Sequence, residues 1–419
     1  MRSRYLIALA LCLALLCHGA SPGVVQAAPG DLIRTLAKPN PQTGDLFGYA
    51  LASQGEGVLA TVPCYGAGGN QNASAVYSFN GNTGALTGTF LTPGTAFFGY
   101  SVCYLGSDVL VGAVYDSNGG SMAGAAYLYE GATGNFKRML QKPVPAAYDN
   151  FGVAVVNLGG KALVGAHGDD TGAGNAGAAY LFNPDTGGLV RTFQNPTPTA
   201  NQFLASALAP MGSNVLVGAP AEVGGVGIPD GAAYLFDGTS GALLKSLVNP
   251  TPSPYDHFGH SVAALGNNIL VSAPGHDAAA ADVGAVYLYD GDSGLLIRTL
   301  QKPVPQAGDG FGTSIAIVGG NVLVGAPGDD SAGPDAGAAY LFDGANGQLL
   351  AMFLNPSPDA GDAFGFCLAA VGNDVVISAP WDDANGANAG AVYVFEGVPE
   401  PATLSLLAVG GLMALRRRR

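Results

Sequence analysis

The sequence predicts an all-β fold: a seven-bladed β-propeller with four antiparallel strands per blade and an N-terminal strand closing the last blade. Three observations predict it. A block recurs at intervals of 51 to 55 residues, each copy carries turn residues at fixed offsets, and a fragment of one copy is left over at each end of the repeat array. The clearest copy is Asp309 to Gly344, in which a Phe-Gly is followed by an apolar run ending Gly-Ala-Pro, an acidic glycine-rich loop, and Ala-Ala-Tyr-Leu-Phe. Units begin at Phe47, Phe98, Phe151, a degraded Phe203-Leu204, Phe258, Phe311 and Phe364.

Each element follows from local chemistry. In the sixth unit the strands are expected near Gly312 to Val318, Asn321 to Ala326, Ala338 to Phe342 and Gln348 to Leu354. Gly319-Gly320 joins the first two and Asp343 to Gly347 joins the last two, both with residues that tolerate the positive φ of tight hairpins. Pro327 has no amide hydrogen and stops the second strand. Tyr340 and Phe342, two apart in a strand, share a face. The Phe of Phe-Gly is expected between neighbouring blades, with the Gly allowing a close turn into the innermost strand. The seventh unit stops after its third strand, AVYVFEG, and Leu32 to Leu36 is a spare fourth strand; pairing them closes the ring and removes two exposed edges.

Composition agrees with short strands and tight turns: of 419 residues, 65 are Gly, 48% are hydrophobic and only 11% are charged. The chain divides into residues 1–27, 28–397 and 398–419. The first segment has Arg2 and Arg4, an apolar stretch and Val25-Gln26-Ala27, which reads as a secretory signal peptide cleaved after Ala27. The last has Pro399-Glu400-Pro401, an apolar run from Leu404 to Leu415 and four arginines. Twelve helical residues span about 18 Å, short of the ~30 Å hydrocarbon layer, although arginine snorkelling narrows that gap. Without these ends the body carries ten basic and thirty acidic residues, a net charge near −20. Such a surface disfavours nucleic acid and anionic membrane. Cys64, Cys103 and Cys367 occupy different positions of the repeat and form no disulfide or metal motif.

On these motifs the repeats resemble the FG-GAP family, whose members include the propeller at the head of integrin α subunits. Gly-Ala-Pro is intact at Gly218 to Pro220 and Gly325 to Pro327, and is altered at Thr61-Val62-Pro63, Gly112-Ala113-Val114 and Gly165-Ala166-His167. The resemblance implies ligand binding and, in several integrin blades, calcium in an Asp-x-Asp-x-Asp-Gly loop before the Gly-Ala-Pro strand. Here that loop is replaced by tight turns, so those sites do not carry over. The tail resembles the PEP-CTERM sorting signal, which implies transient membrane association and processing by an exosortase-type protease in a Gram-negative bacterium that makes exopolysaccharide.

Acidic residues gather instead in the loop after Gly-Ala-Pro (Asp169, Asp170, Asp277, Asp329, Asp330, Asp382, Asp383) and in the link between blades (Asp45, Asp149, Asp256, Asp309, Asp362). Both emerge on one face of an antiparallel blade. Two readings stay open: Asp169, Asp170, Asp329, Asp330, Asp382 and Asp383 hold calcium with backbone carbonyls, or they cap turns and are solvated. No metal-protease, CxxC or phosphate-loop motif occurs, and His257 and His260 lie two blades from His167. The expected role is a non-catalytic binding or adhesion propeller at the cell surface or in a matrix, with extracellular polysaccharide or a surface protein as partner. The alternative is a carbohydrate-active enzyme using carboxylates of the acidic face.

Overall fold

The computed structural model describes residues 30–63, 74–92, 97–220, 231–278 and 280–397. Ala27 and the rest of the signal segment, Cys64, and Pro399-Glu400-Pro401 with the tail lie outside the described residues.

The second strand of every unit is a mainly apolar run without polar alternation, such as Val322 to Ala326 after Asn321, and all but its first residue is buried. A run without alternation fits a strand covered on both faces, which is what a blade packed between two others provides. Blade 1 comprises β2 Leu51–Gln54, β3 Gly57–Val62, β4 Ala75–Asn80 and β5 Leu86–Leu91. Blade 2 is β6 Phe98–Leu105, β7 Asp108–Ala113, β8 Ala125–Tyr129 and β9 Phe136–Leu140. Blade 3 is β10 Phe151–Leu158, β11 Lys161–Ala166, β12 Ala178–Phe182 and β13 Leu189–Phe193. Blade 4 is β14 Ala207–Met211, β15 Asn214–Ala219, β16 Ala232–Phe236 and β17 Leu243–Val248. Blade 5 is β18 Val262–Leu265, β19 Asn268–Ala273, β20 Ala285–Asp290 and β21 Leu296–Leu300. Blade 6 is β22 Ser314–Val318, β23 Asn321–Ala326, β24 Ala338–Phe342 and β25 Leu349–Leu354. Blade 7 joins β26 Leu368–Val371, β27 Asp374–Ala379 and β28 Ala391–Phe395 to the N-terminal β1 Leu32–Leu36.

β1 pairs antiparallel with β28, Arg34 opposite Val394 and Leu36 opposite Val392, so the two ends of the propeller meet in one sheet as expected. Leu36 is 1% exposed and packs in a core shared with Val58 of blade 1 and Val376 of blade 7.

Phe311 is fully buried between Leu270 and Leu288 of blade 5 and Val322 and Val324 of blade 6. Tyr340 and Phe342 both meet its ring, each at 5.9 Å between centroids. The following glycine is at φ +95 in blade 5, and a Cβ on Gly259 would sit 2.2 Å from the carbonyl oxygen of Ala232 in blade 4. Blade 4 corrects the sequence reading by one position. Leu204, bridged to Gly177 and fully buried, takes the Phe place, and Ala205 takes the Gly place with φ 72. Phe203, with φ 52, matches the residue before Phe-Gly in other units, such as His257 at φ 55.

Candidate functional site

The link into a blade and its loop from second to third strand do emerge together, and there the acidic residues meet. Those that face one another are buried. Asp169, Asp329 and Asp382 are 0% exposed, and Asp149, Asp309 and Asp362 no more than 1%. In blade 6, Lys302 Nζ lies 2.6 Å from Asp309 and 2.7 Å from Asp329. Tyr340 donates its hydroxyl hydrogen to Asp329, and the amide of Ser331 donates to the other oxygen at 2.7 Å. Burial pushes the Asp329 carboxyl up, but the bonds from Lys302, Ser331 and Tyr340 outweigh it and hold it below the usual carboxylate range. Blade 3 repeats the arrangement with Lys142, Asp149, Asp169 and Tyr180. A lysine already occupies the place a cation would take, so Asp169 and Asp329 are parts of a sealed cross-brace.

Asp170, Asp330 and Asp383 are exposed, and each accepts a backbone N–H five residues on, from Asn175 at 2.8 Å, Asp335 at 2.8 Å and Asn388 at 2.6 Å. They shape the loop, as in other Asx-type turns. Among the described residues no three His, Cys, Asp or Glu side chains converge as a group able to hold a metal. The described cysteines, Cys103 and Cys367, are free thiols, and burial pushes Cys103 up to about 12.

The residues that do converge on open space are elsewhere. The residue after Phe-Gly, or after Leu204-Ala205 in blade 4, lies at or near the start of the first strand: Tyr49, Tyr100, Val153, Ser206, His260, Thr313 and Phe366, in blade order, of which Tyr100, Val153, Ser206 and His260 line one cavity. Tyr49 bridges blades, with ring centroids 5.6 Å from Tyr100 and 5.3 Å from Phe366, and Phe366 meets Trp381 edge-on at 5.0 Å. Continuing from Tyr100, a cavity of about 440 Å³ is lined by residues of four blades: Tyr100, Val153, His167, Phe203, Ser206, Pro220, His257 and His260. His167 Nδ1 lies 3.3 Å from the Ser206 hydroxyl, which itself donates to the carbonyl of Phe203 at 2.7 Å. The imidazole of His167 is edge-on to Phe203 at 5.7 Å. Burial lowers His167 to about 4, and burial with the neighbouring His257 lowers His260. His167 is therefore neutral at neutral pH, and the lining contains no carboxylate although the protein is strongly acidic.

The two-blade separation of His257 and His260 from His167 holds along the chain, but the ring brings all three to one cavity. The repeat itself carried a signal for these positions. The residue at this position varies from Tyr to Val, Ser, His, Thr and Phe, while Phe-Gly precedes it in six of the seven units and a small residue follows it, so packing does not dictate it.

The FG-GAP repeat profile matches residues 94–129, 143–182, 245–289, 303–342 and 356–395. These segments contain the first three strands of blades 2, 3, 5, 6 and 7, with the link before each. The departures at blade 4, where Leu204-Ala205 replaces Phe-Gly, fall outside them. No curated protein matches the chain.

Proposed function

We propose, from a chain built of FG-GAP repeats closed into a seven-bladed propeller, that it is an exported, non-catalytic binding protein that attaches to extracellular polysaccharide through the mouth of its central channel. The observation that carries this reading is the cavity of about 440 Å³, within the size range of small-ligand sites, where the repeat's positions diverge. Its rings, Phe203 and Tyr100, suit the apolar face of a sugar, and His167, His260 and Ser206 suit its hydroxyl edge. A lining without Lys or Arg in an acidic protein favours an uncharged saccharide over an anionic one.

Export is supported by the composition of residues 1–27, and sorting by Pro399-Glu400-Pro401 with its apolar run and arginines. The final location is then the cell surface or a surrounding matrix, after a membrane-associated intermediate cut by an exosortase-type protease. Against the enzyme alternative stands the cavity lining, which contains no carboxylate, while the buried carboxylates of the loop face are tied to Lys, Tyr or Asn. Screening the folded propeller against neutral and acidic polysaccharides, with binding and product release measured together, tests both. Retention without turnover, lost in Phe203→Ala and His260→Ala but kept in Asp330→Asn, is expected. Turnover abolished by an aspartate substitution would establish the enzyme instead.

A further inference from the structure

Two cations fasten a blade to the one before it. The outer strand of blade 5 supplies Arg298, whose guanidinium donates to the carbonyl of Ala345 in blade 6 at 3.2 Å, and the link beyond it supplies Lys302. Arg138 and Lys142 do the same between blades 2 and 3, and Arg34 and Lys38 between blades 7 and 1. Between blades 6 and 7 both are missing. The outer strand has Ala351 where blades 2, 3, 5 and 7 have Arg and blade 4 has Lys245, and the link has Asn355 where the links into blades 1, 3 and 6 have Lys and those into blades 4 and 5 have Asn195 and Asn249. The two carboxylates are nevertheless retained and sealed: Asp362 is 1% exposed and Asp382 is 0% exposed.

Among the described residues, those that bond to this pair supply hydrogen-bond donors but no cation. Asn355 Nδ2 donates to Asp362 Oδ2 at 2.7 Å and to Asp382 Oδ2 at 3.3 Å. The amide of Asp359 donates to Asp362 at 2.7 Å, the amide of Ala384 to Asp382 at 2.9 Å, and the Tyr393 hydroxyl to Asp382 at 2.6 Å. The other charged groups that act on Asp362 are Asp359 and Asp383, both of the same sign. Other blades escape the conflict differently. Blade 5 sets His276 against Asp256 at 3.7 Å, blade 4 has neutral Asn195 and Gln202, and blade 2 has Asp116 with Tyr127, its link from 92 to 97 carrying no acid.

We infer that the seam between blades 6 and 7 is a proton-operated fastening: Asp362, sealed beside Asp382 with Asn355 where a lysine would stand, holds a proton in the closed ring, and its release loosens the blade that carries the chain closure. The proton does at this seam what lysine does in blades 3 and 6, since two carboxylates sealed together resist double ionisation. Burial, reinforced by Asp382, Asp359 and Asp383, holds Asp362 up at about 6. A group raised in this way stabilises the fold fully below the ordinary carboxylate range, and that contribution is lost as pH rises through about 6.

Thermal unfolding of the full chain at about pH 5 and about pH 8, compared with Asn355→Lys and Asp362→Asn, tests this. The wild type is expected to lose a few degrees more than either variant on going to the higher pH. Asn355→Lys should melt above the wild type at the higher pH and lose that advantage at the lower. Hydrogen exchange should place the loosening in β1 and β26 to β28, and not in blade 6. An equal pH response in all three proteins, or a loosening spread evenly over the ring, overturns the inference. If Asn355→Lys fails to fold, Asp362→Asn alone decides, because an amide cannot titrate and must flatten the response.

Discussion

A lysine, two aspartates and a tyrosine recur as one unit at the residue scale, and their value lies in being complete. Removing Lys302 would leave Asp309 and Asp329 buried without their cation. Lys302→Met should destabilise the protein by about 3–5 kcal/mol in denaturant unfolding, and adding Asp329→Asn should recover part of that loss. The two kinds of cluster also answer acid in opposite senses. The lowered Asp329 contributes stability above the ordinary carboxylate range that is lost as pH falls, whereas the raised Asp362 gains with falling pH. Ala205 is the second residue-scale case. It holds φ 72 where other blades use glycine, so Ala205→Gly should raise stability by up to about 1 kcal/mol by relieving a left-handed backbone. Gly259→Ala should do the reverse and more strongly, since its Cβ would collide with the Ala232 carbonyl.

Outer strands decide how the elements hold together. Each one shifts register against its partner near its start, as between Leu181 and Phe182 opposite β13, which bends an edge that would otherwise invite pairing with another chain. Each of Arg34, Arg138, Arg191, Lys245 and Arg298 then reaches a backbone carbonyl in the hairpin of the next blade. These clasps are exposed, so Arg191→Ala should cost less than about 1 kcal/mol in the same unfolding measurement. β1 is a different matter. Deleting residues 31 to 36 removes Leu36 from a core and bares the edge of β28, so the truncated chain should melt earlier and associate, read by light scattering.

At the scale of the whole molecule, eight of the ten basic residues of the body work inside it, five as clasps and three in the carboxylate clusters. Few cations are left without a partner inside the molecule, and with thirty acidic residues the surface is correspondingly acidic. Calcium titration of the folded propeller by calorimetry should nonetheless give no saturable heat, and chelator should not change the melting temperature. The carboxylates that face one another are already bonded, and the exposed ones serve their own loops. Saturable heat lost in Asp330→Asn would restore the loop face as a cation site.

The repeat period and the strand boundaries set by glycine and proline are local properties, and the sequence by itself determined them; the repeat pattern, with its leftover strand at each end, likewise determined the ring closure by β1 and the packing place of Phe311. Turn residues and apolar runs act over a few positions, so they can be read without knowing what lies opposite. The fate of the charges was decided only by tertiary structure. That Asp309 and Asp329 face one lysine, that Asp362 and Asp382 face none, and that His167, His257 and His260 share a cavity all depend on partners 7 to 93 residues apart along the chain, brought together by the closing of the ring. A carboxylate in an acidic glycine-rich loop looks solvated from its neighbours in sequence. Whether it is depends on the burial and the counter-charge that the adjoining blade supplies.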